Sequence, residues 1–191
     1  NVISATLSAK QEAYIKGATI NAGSIQVIST LNNTDDTGAV AELGSSATSF
    51  GADVSLVSVE IHTAIATANN TNHAYIAAAD ITSSGAISVQ SLAQAYANAR
   101  VNEDAIDVGL ISFGITVLKA IAQGDFAAYV DGSELNAGSL EVKNVYTSHA
   151  NAVAAQPSLG IGVEAISGEG NYAHADAATN AKAYIRNSNI T

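Results

Sequence analysis

The strongest constraint on this chain is that it repeats. Ala13-Tyr14-Ile15 leads to Ile20 and then to Ala22-Gly23-Ser24-Ile25-Gln26-Val27, and Ala74-Tyr75-Ile76 leads to Ile81 and Gly85-Ala86-Ile87-Ser88-Val89. Ala128-Tyr129-Val130 leads to Leu135 and Ala137-Gly138-Ser139-Leu140-Glu141-Val142, and Ala183-Tyr184-Ile185 opens a fourth copy that reaches Ile190. The copies begin at residues 13, 74, 128 and 183, spacings of 61, 54 and 55. A period of this size belongs to solenoids, whose stacked units share a continuous core. The expected organisation is one continuous solenoid segment. Residues 1–12 form the tail of a preceding repeat, 13–73, 74–127 and 128–182 are three repeats, and 183–191 begin a fourth, as in a piece of a longer parent.

Within each copy the apolar residues recur every second position. Ala13 and Ile15 face one way and Tyr14 the other; Ile25 and Val27 share a face opposite Gln26. Period two is the signature of a strand. The alanine runs follow the same rule: Ala93, Ala95, Ala97 and Ala99 alternate with Gln94, Tyr96, Asn98 and Arg100, and Ala150, Ala152 and Ala154 with Asn151 and Val153. Alanine favours helix, so residues 91–106 could be read as one on composition. On a helix, however, those alanines would spread around the cylinder and leave no single apolar stripe.

Gly23, Gly85 and Gly138 stand between pairs of short strands and are expected to take the positive φ of a sharp corner. Six short strands per repeat then suggest about two coils of three strands in each 55-residue unit. At about 4.8 Å per coil, the predicted object is a rod on the order of 30 to 35 Å long. An antiparallel sandwich and a three-chain β-roll are the alternatives. Turn chemistry sits at 32–38, 69–72 and 167–171, and the longer first repeat implies a larger loop at one of these turns.

Composition narrows the functional classes. Hydrophobic residues make up 48% of the chain, yet aromatics are only 5% and Trp, Met and Cys are absent, which suits a thin core of small side chains. A net charge of −10 with only seven Lys and Arg argues against nucleic acid and anionic membranes as partners. No apolar run is long enough to span a bilayer as a helix. A cysteine-free, β-rich chain fits an extracellular or cell-surface bacterial location.

Candidate chemistry is sparse. Gly160-Ile161-Gly162-Val163-Glu164-Ala165 resembles a dinucleotide-binding glycine cluster, but Gly168 and Gly170 interrupt the helix that motif requires. His174 and Asp176 share a strand face without a visible third ligand, and Asp35-Asp36 and Glu103-Asp104 with Asp107 lack calcium-loop spacing. A polysaccharide-cleaving site needs converging carboxylates with a cation, and the only arginines are Arg100 and Arg186. The tripeptides beginning at Asn32, Asn69 and Asn189 match an N-glycosylation pattern that chance supplies in so polar a chain. No enzyme activity, cofactor or metal is expected. Tyr14, Tyr75, Tyr129 and Tyr184 occupy one slot; two coils apart, they would be about 10 Å from one another, forming a sparse outward stripe for a receptor or carbohydrate.

The order of elements carries a family resemblance. Thr71-Asn72-His73-Ala74-Tyr75-Ile76, Ala178-Thr179-Asn180-Ala181-Lys182-Ala183-Tyr184-Ile185, Asn136-Ala137-Gly138-Ser139-Leu140-Glu141-Val142, the alanine alternation and Gly160-Ile161-Gly162-Val163 together resemble the repeats of leukotoxin-like filamentous adhesins of fusobacteria. These belong to bacterial type V secretion, with filamentous haemagglutinin a more distant likeness. The resemblance implies a single-stranded right-handed parallel β-helix within a long exported passenger, and carries no site residues over. The expected role is a non-enzymatic, rigid structural stalk, with an adhesive surface, in a secreted bacterial adhesin or toxin-like protein. Its partners would be flanking repeats and a host-cell receptor or carbohydrate. The competing reading is a subunit of an extracellular filament, stacking end to end through open strand edges.

Overall fold

The computed structural model describes residues 1–32, 44–50, 57–102, 111–155 and 166–191. Nearly all of these are in strands: β1 (Val2–Leu7), β2 (Lys10–Lys16), β3 (Thr19–Ala22), β4 (Ile25–Leu31), β5 (Ser45–Phe50), β6 (Val57–Ala77), β7 (Asp80–Asn102), β8 (Ile111–Asp131), β9 (Glu134–Ala155), β10 (Ile166–Arg186) and β11 (Asn189–Ile190). In the first sheet, β1 and β2 pair with β6, followed by β8 and β10; in the second, β3, β4 and β5 pair with β7, followed by β9 and β11. Every pairing is parallel. The chain therefore passes from one sheet to the other and back, as a coiled parallel β architecture. Ser91–Asn102 lies within β7, so the alanine run is strand, and parallel pairing excludes the antiparallel sandwich.

Register fixes the pitch, and it corrects the expectation of two coils per repeat. Tyr14 pairs with Tyr75, Tyr75 with Tyr129 and Tyr129 with Tyr184, so each repeat is one coil. The short strands merge into strands of 21 to 23 residues. In place of a 30 to 35 Å rod, four layers span roughly 14 Å along the stacking axis, with strands up to about 70 Å long.

The merging has a local cause, because the presumed corner glycines are not corners. Gly85 and Gly138 lie inside β7 and β9, and Gly23, Gly85 and Gly138 all lack positive φ. They are small because backbone passes backbone: a Cβ on Gly85 would stand 2.5 Å from the Gly23 carbonyl oxygen, and one on Gly138 3.4 Å from that of Gly85. A register shift between Ser83 and Ala86 takes up the extra residue of this copy.

The chain turns instead at Gly17, Ala78, Gly132 and Asn187, with φ of 63°, 49°, 59° and 52°. This left-handed conformation is natural for Gly, tolerable for Asn and strained for Ala. The axial ladder runs unbroken through the corners: Gly17 N–H donates to Ala77 O, Ala78 N–H to Asp131 O and Gly132 N–H to Arg186 O, each at 3.0 Å. In the next corner position, the Ser133 hydroxyl accepts from Ala79 N–H and the Ser188 hydroxyl from Ser133 N–H.

Between the sheets lie two apolar zones. Nearest the corners, Ile76, Ile81, Ile87, Val89, Val130 and Leu135 form a β-branched and leucine core. Farther along, Ala64, Ala66, Ala68, Ala120 and Ala122 of the first sheet pack with Ala93, Ala95, Ala97 and Ala99 of the second. A polar seam connects the sheets between these zones. Fully buried Asn72 donates through Nδ2 to Ser29 O, Ser91 Oγ and Leu92 O and accepts from the Ser29 hydroxyl, while Ser91 Oγ donates to Asn72 O. One coil on, Phe126 replaces Asn72, and Asn144 replaces Ser91 and donates to Phe126 O and Lys182 O.

The first repeat's extra length is located by register. Leu31 pairs with Ala93 and Ser45 with Ala97, so the first repeat has 13 residues between partners that three residues separate in the second. The added length lies between β4 and β5, which both pair with the continuous β7, and not at the tight corner of Gly17. Gly44 rejoins the sheet so closely that a Cβ would meet Tyr96 O at 2.1 Å.

Candidate functional site

Tyr14, Tyr75, Tyr129 and Tyr184 form a continuous ladder on the outer face of the first sheet. Their inward neighbours Ala74, Ile76, Ala128 and Val130 are in the core, so alternation sends the phenols outward. Successive ring centroids lie 5.1, 4.8 and 5.1 Å apart, with interplanar angles of 10°, 2° and 3°. This overturns the expected 10 Å spacing: one coil per repeat puts each ring against the next. Ring faces are consumed by stacking, worth about 0.5–1.5 kcal/mol per pair beyond area burial. Edges and hydroxyls are what the ladder presents, so a sugar ring finds few free aromatic faces.

Charged side chains flank the ladder. Arg186 makes a bidentate pair with Asp131, donating from Nε to Oδ1 and from Nη2 to Oδ2, and its guanidinium lies 5.6 Å from the Tyr184 ring centre. The Arg186 hydrogen bonds, joined by one from Asn187, hold the Asp131 carboxyl below the usual carboxylate range, against a smaller opposing effect of burial. On the other side, His73 lies 3.3 Å from Asp125 Oδ2 and edge-on to Tyr129. Burial raises the Tyr75 and Tyr129 phenols above their ordinary value. Glu12 and Tyr14 add to the effect at Tyr75, and the neighbouring tyrosines add to it at Tyr129.

A second surface was not legible as such in the sequence. Val59 pairs with Phe113 and Ile61 with Ile115, and these four, with Val57 beside them, are about half or more exposed on the same outer face. Such a contiguous apolar patch commonly marks a contact surface. The signal was present in Val57-Ser58-Val59-Glu60-Ile61 and Phe113-Gly114-Ile115, but alternation alone does not say which face is inward. Here Glu60 and His62 take the inner side, with His62 Nε2 2.9 Å from Glu60 Oε2 and His62 buried.

The other candidates do not assemble into a catalytic group. His174 lies beside the Tyr172 ring, His149 stacks on Tyr96, and no cluster of three or more metal-binding side chains occurs among the described residues. Gly160-Ile161-Gly162-Val163-Glu164-Ala165, Asp35-Asp36, and Glu103-Asp104 with Asp107 lie outside the described residues. Arg100 is exposed, and no helix of the described residues is long and apolar enough to cross a membrane. The chain matches no protein family, no curated protein and no solved structure.

Proposed function

We propose that this chain is a non-enzymatic structural segment of a secreted or cell-surface bacterial protein of the filamentous-adhesin type. It would be a right-handed β-solenoid serving as a rigid stalk, the hand being the one parallel strand crossovers favour. The observation that carries this reading is the residue-for-residue stacking of successive repeats in both sheets. A chain in which each coil templates the next adds length without new chemistry and suits a spacer. The apolar patch around Val59, Ile61, Phe113 and Ile115 is the better adhesive surface, because the tyrosines' faces are occupied by one another. Two tests bear on the reading. Antibody against the outer face should label intact, unpermeabilised cells of the source organism, and labelling only after lysis would overturn the surface role. Arrays extended by a second copy of residues 74–182 should grow by about 10 Å along the stacking axis.

The filament reading rests on a different observation. Among the described residues the β10 strand has a neighbour on one side only, and Ile185, whose slot is buried in the middle coils, is 48% exposed. An open edge of this kind is a template for another strand. Sedimentation of the isolated chain separates the readings: a monomer at micromolar concentration favours the stalk, and concentration-dependent fibres favour the filament.

A further inference from the structure

We propose that the tyrosine ladder is an oxidative modification site at which adjacent coils become covalently joined as dityrosine, through Tyr14–Tyr75, Tyr75–Tyr129 or Tyr129–Tyr184. The chemistry requires two phenols held side by side where an oxidant can reach them. Both conditions are met here: centroids are 4.8 to 5.1 Å apart with nearly parallel planes, on an outward face where Tyr14 is 57% exposed and Tyr75, Tyr129 and Tyr184 are partly exposed. Joining two rings through their ortho carbons needs each ring to turn about its Cβ–Cγ bond, a broad and soft torsion, with little change in axial separation. The backbone ladder already fixes that separation.

The step balances with hydrogen peroxide turned over by a haem peroxidase as oxidant. Each phenol gives up one electron and one proton, and the peroxide takes two of each to become two waters. The two phenoxyl radicals form one Cε–Cε bond. The hydrogens on those carbons then shift to the oxygens, restoring both aromatic rings. The product is the same chain lighter by two hydrogens.

The protein contains its own controls. It has seven tyrosines, and the remaining three have no tyrosine beside them: Tyr96 pairs with His149, Tyr146 with Ala93 and Tyr172 with Val117. Tyr146 and Tyr172 are 47% and 57% exposed, so exposure alone predicts that they react at least as readily as the ladder. Proximity predicts that they do not form within-chain links.

The test is peroxidase and hydrogen peroxide treatment of the dilute full chain, followed by isolation of the monomer, dityrosine fluorescence and peptide mass spectrometry. Trypsin leaves Tyr14, Tyr129 and Tyr184 on separate peptides; Tyr75 shares one with Tyr96 and is assigned by fragment ions. The expected result is fluorescent monomer with links confined to the three ladder pairs. Tyr75→Phe should retain only the 129–184 link, and Tyr129→Phe only the 14–75 link. The double variant should lose the within-chain product while phenylalanine keeps the stack folded, as its unchanged circular dichroism would verify. Within-chain links surviving in the double variant, or products dominated by between-chain links at Tyr146 and Tyr172, would overturn the proposal.

Discussion

Asn72 is the residue on which the two sheets most depend for polar registration. Its side chain satisfies three groups of the opposite sheet and accepts from a fourth in a buried seam. Asn72→Ala should cost about 2–4 kcal/mol, because it leaves buried partners unpaired and opens a small cavity. Chemical denaturation at constant m-value measures this, and pairing the change with Ser29→Ala should cost less than the two single losses together. Ala78 presents the opposite case, an L-residue at φ 49° where other corners use Gly or Asn. Ala78→Gly should stabilise by up to about 1 kcal/mol, since relief of left-handed strain exceeds the added chain entropy.

The phenols give a pH dependence whose sign follows from burial. Tyr75 and Tyr129 have folded values above 10.0, so the fold favours the neutral phenol. Their contribution is complete below about pH 10 and is lost as pH rises through the raised folded values. A phenolate absorbance titration of the native chain should show a late-ionising component that vanishes in Tyr75→Phe/Tyr129→Phe; an unchanged titration curve in that variant, apart from amplitude, would contradict this.

At the level of the strand, the seam tolerates exchange only in matched sets. Asn70 and Asn72 of β6 stand opposite Gly124 and Phe126 of β8, and the Phe126 ring occupies the space a side chain at 124 would need, its Cζ 2.3 Å from an added Cβ. Gly124→Asn alone should therefore destabilise by about 1–3 kcal/mol through overpacking. The loss should shrink when Phe126→Asn is made with it, and equal losses in both backgrounds would show that the ring is not the obstacle.

These elements also show what the sequence disclosed. Alternation at Ala93–Ala99 discloses the strand, and there the small apolar residues also take the inward face. The pitch was hidden, because Gly23, Gly85 and Gly138 carry the same composition whether they bend the chain or let backbones pass closely. The true corners were legible in principle, since Gly17, Gly132 and Asn187 share one slot, but Ala78 in that slot conceals it. The apolar outer patch was illegible for a related reason: Val57-Ser58-Val59-Glu60-Ile61 alternates correctly, and only the burial of Ala64, Ala66 and Ala68 reveals that the odd positions face out.

For the molecule as a whole, stability should follow the number of coils. Interior layers β6 and β8 have neighbours on both sides, whereas the inward residues of β10 remain largely uncovered. Adding a copy of residues 74–182 converts edge surface into interface, so the denaturation midpoint should rise with each added unit and level off as the ends become a smaller fraction. A midpoint independent of length would mean that the coils do not share a core.

The direction of the hydrogen bonds has a mechanical consequence. Because they join one coil to the next along the stacking axis, a load applied along that axis opens each interface by peeling, a few bonds at a time from one end. A load applied along the strands meets some twenty paired residues in shear at once. The assembly is therefore a laminate, weak across its plies and strong within them. Pulling through Tyr14 and Tyr184 should yield at much lower force than pulling one middle coil lengthwise between Ile111 and Asp131. A stalk built this way bears tension well only if its anchors load the strands, or if the phenols along one edge have been sewn together.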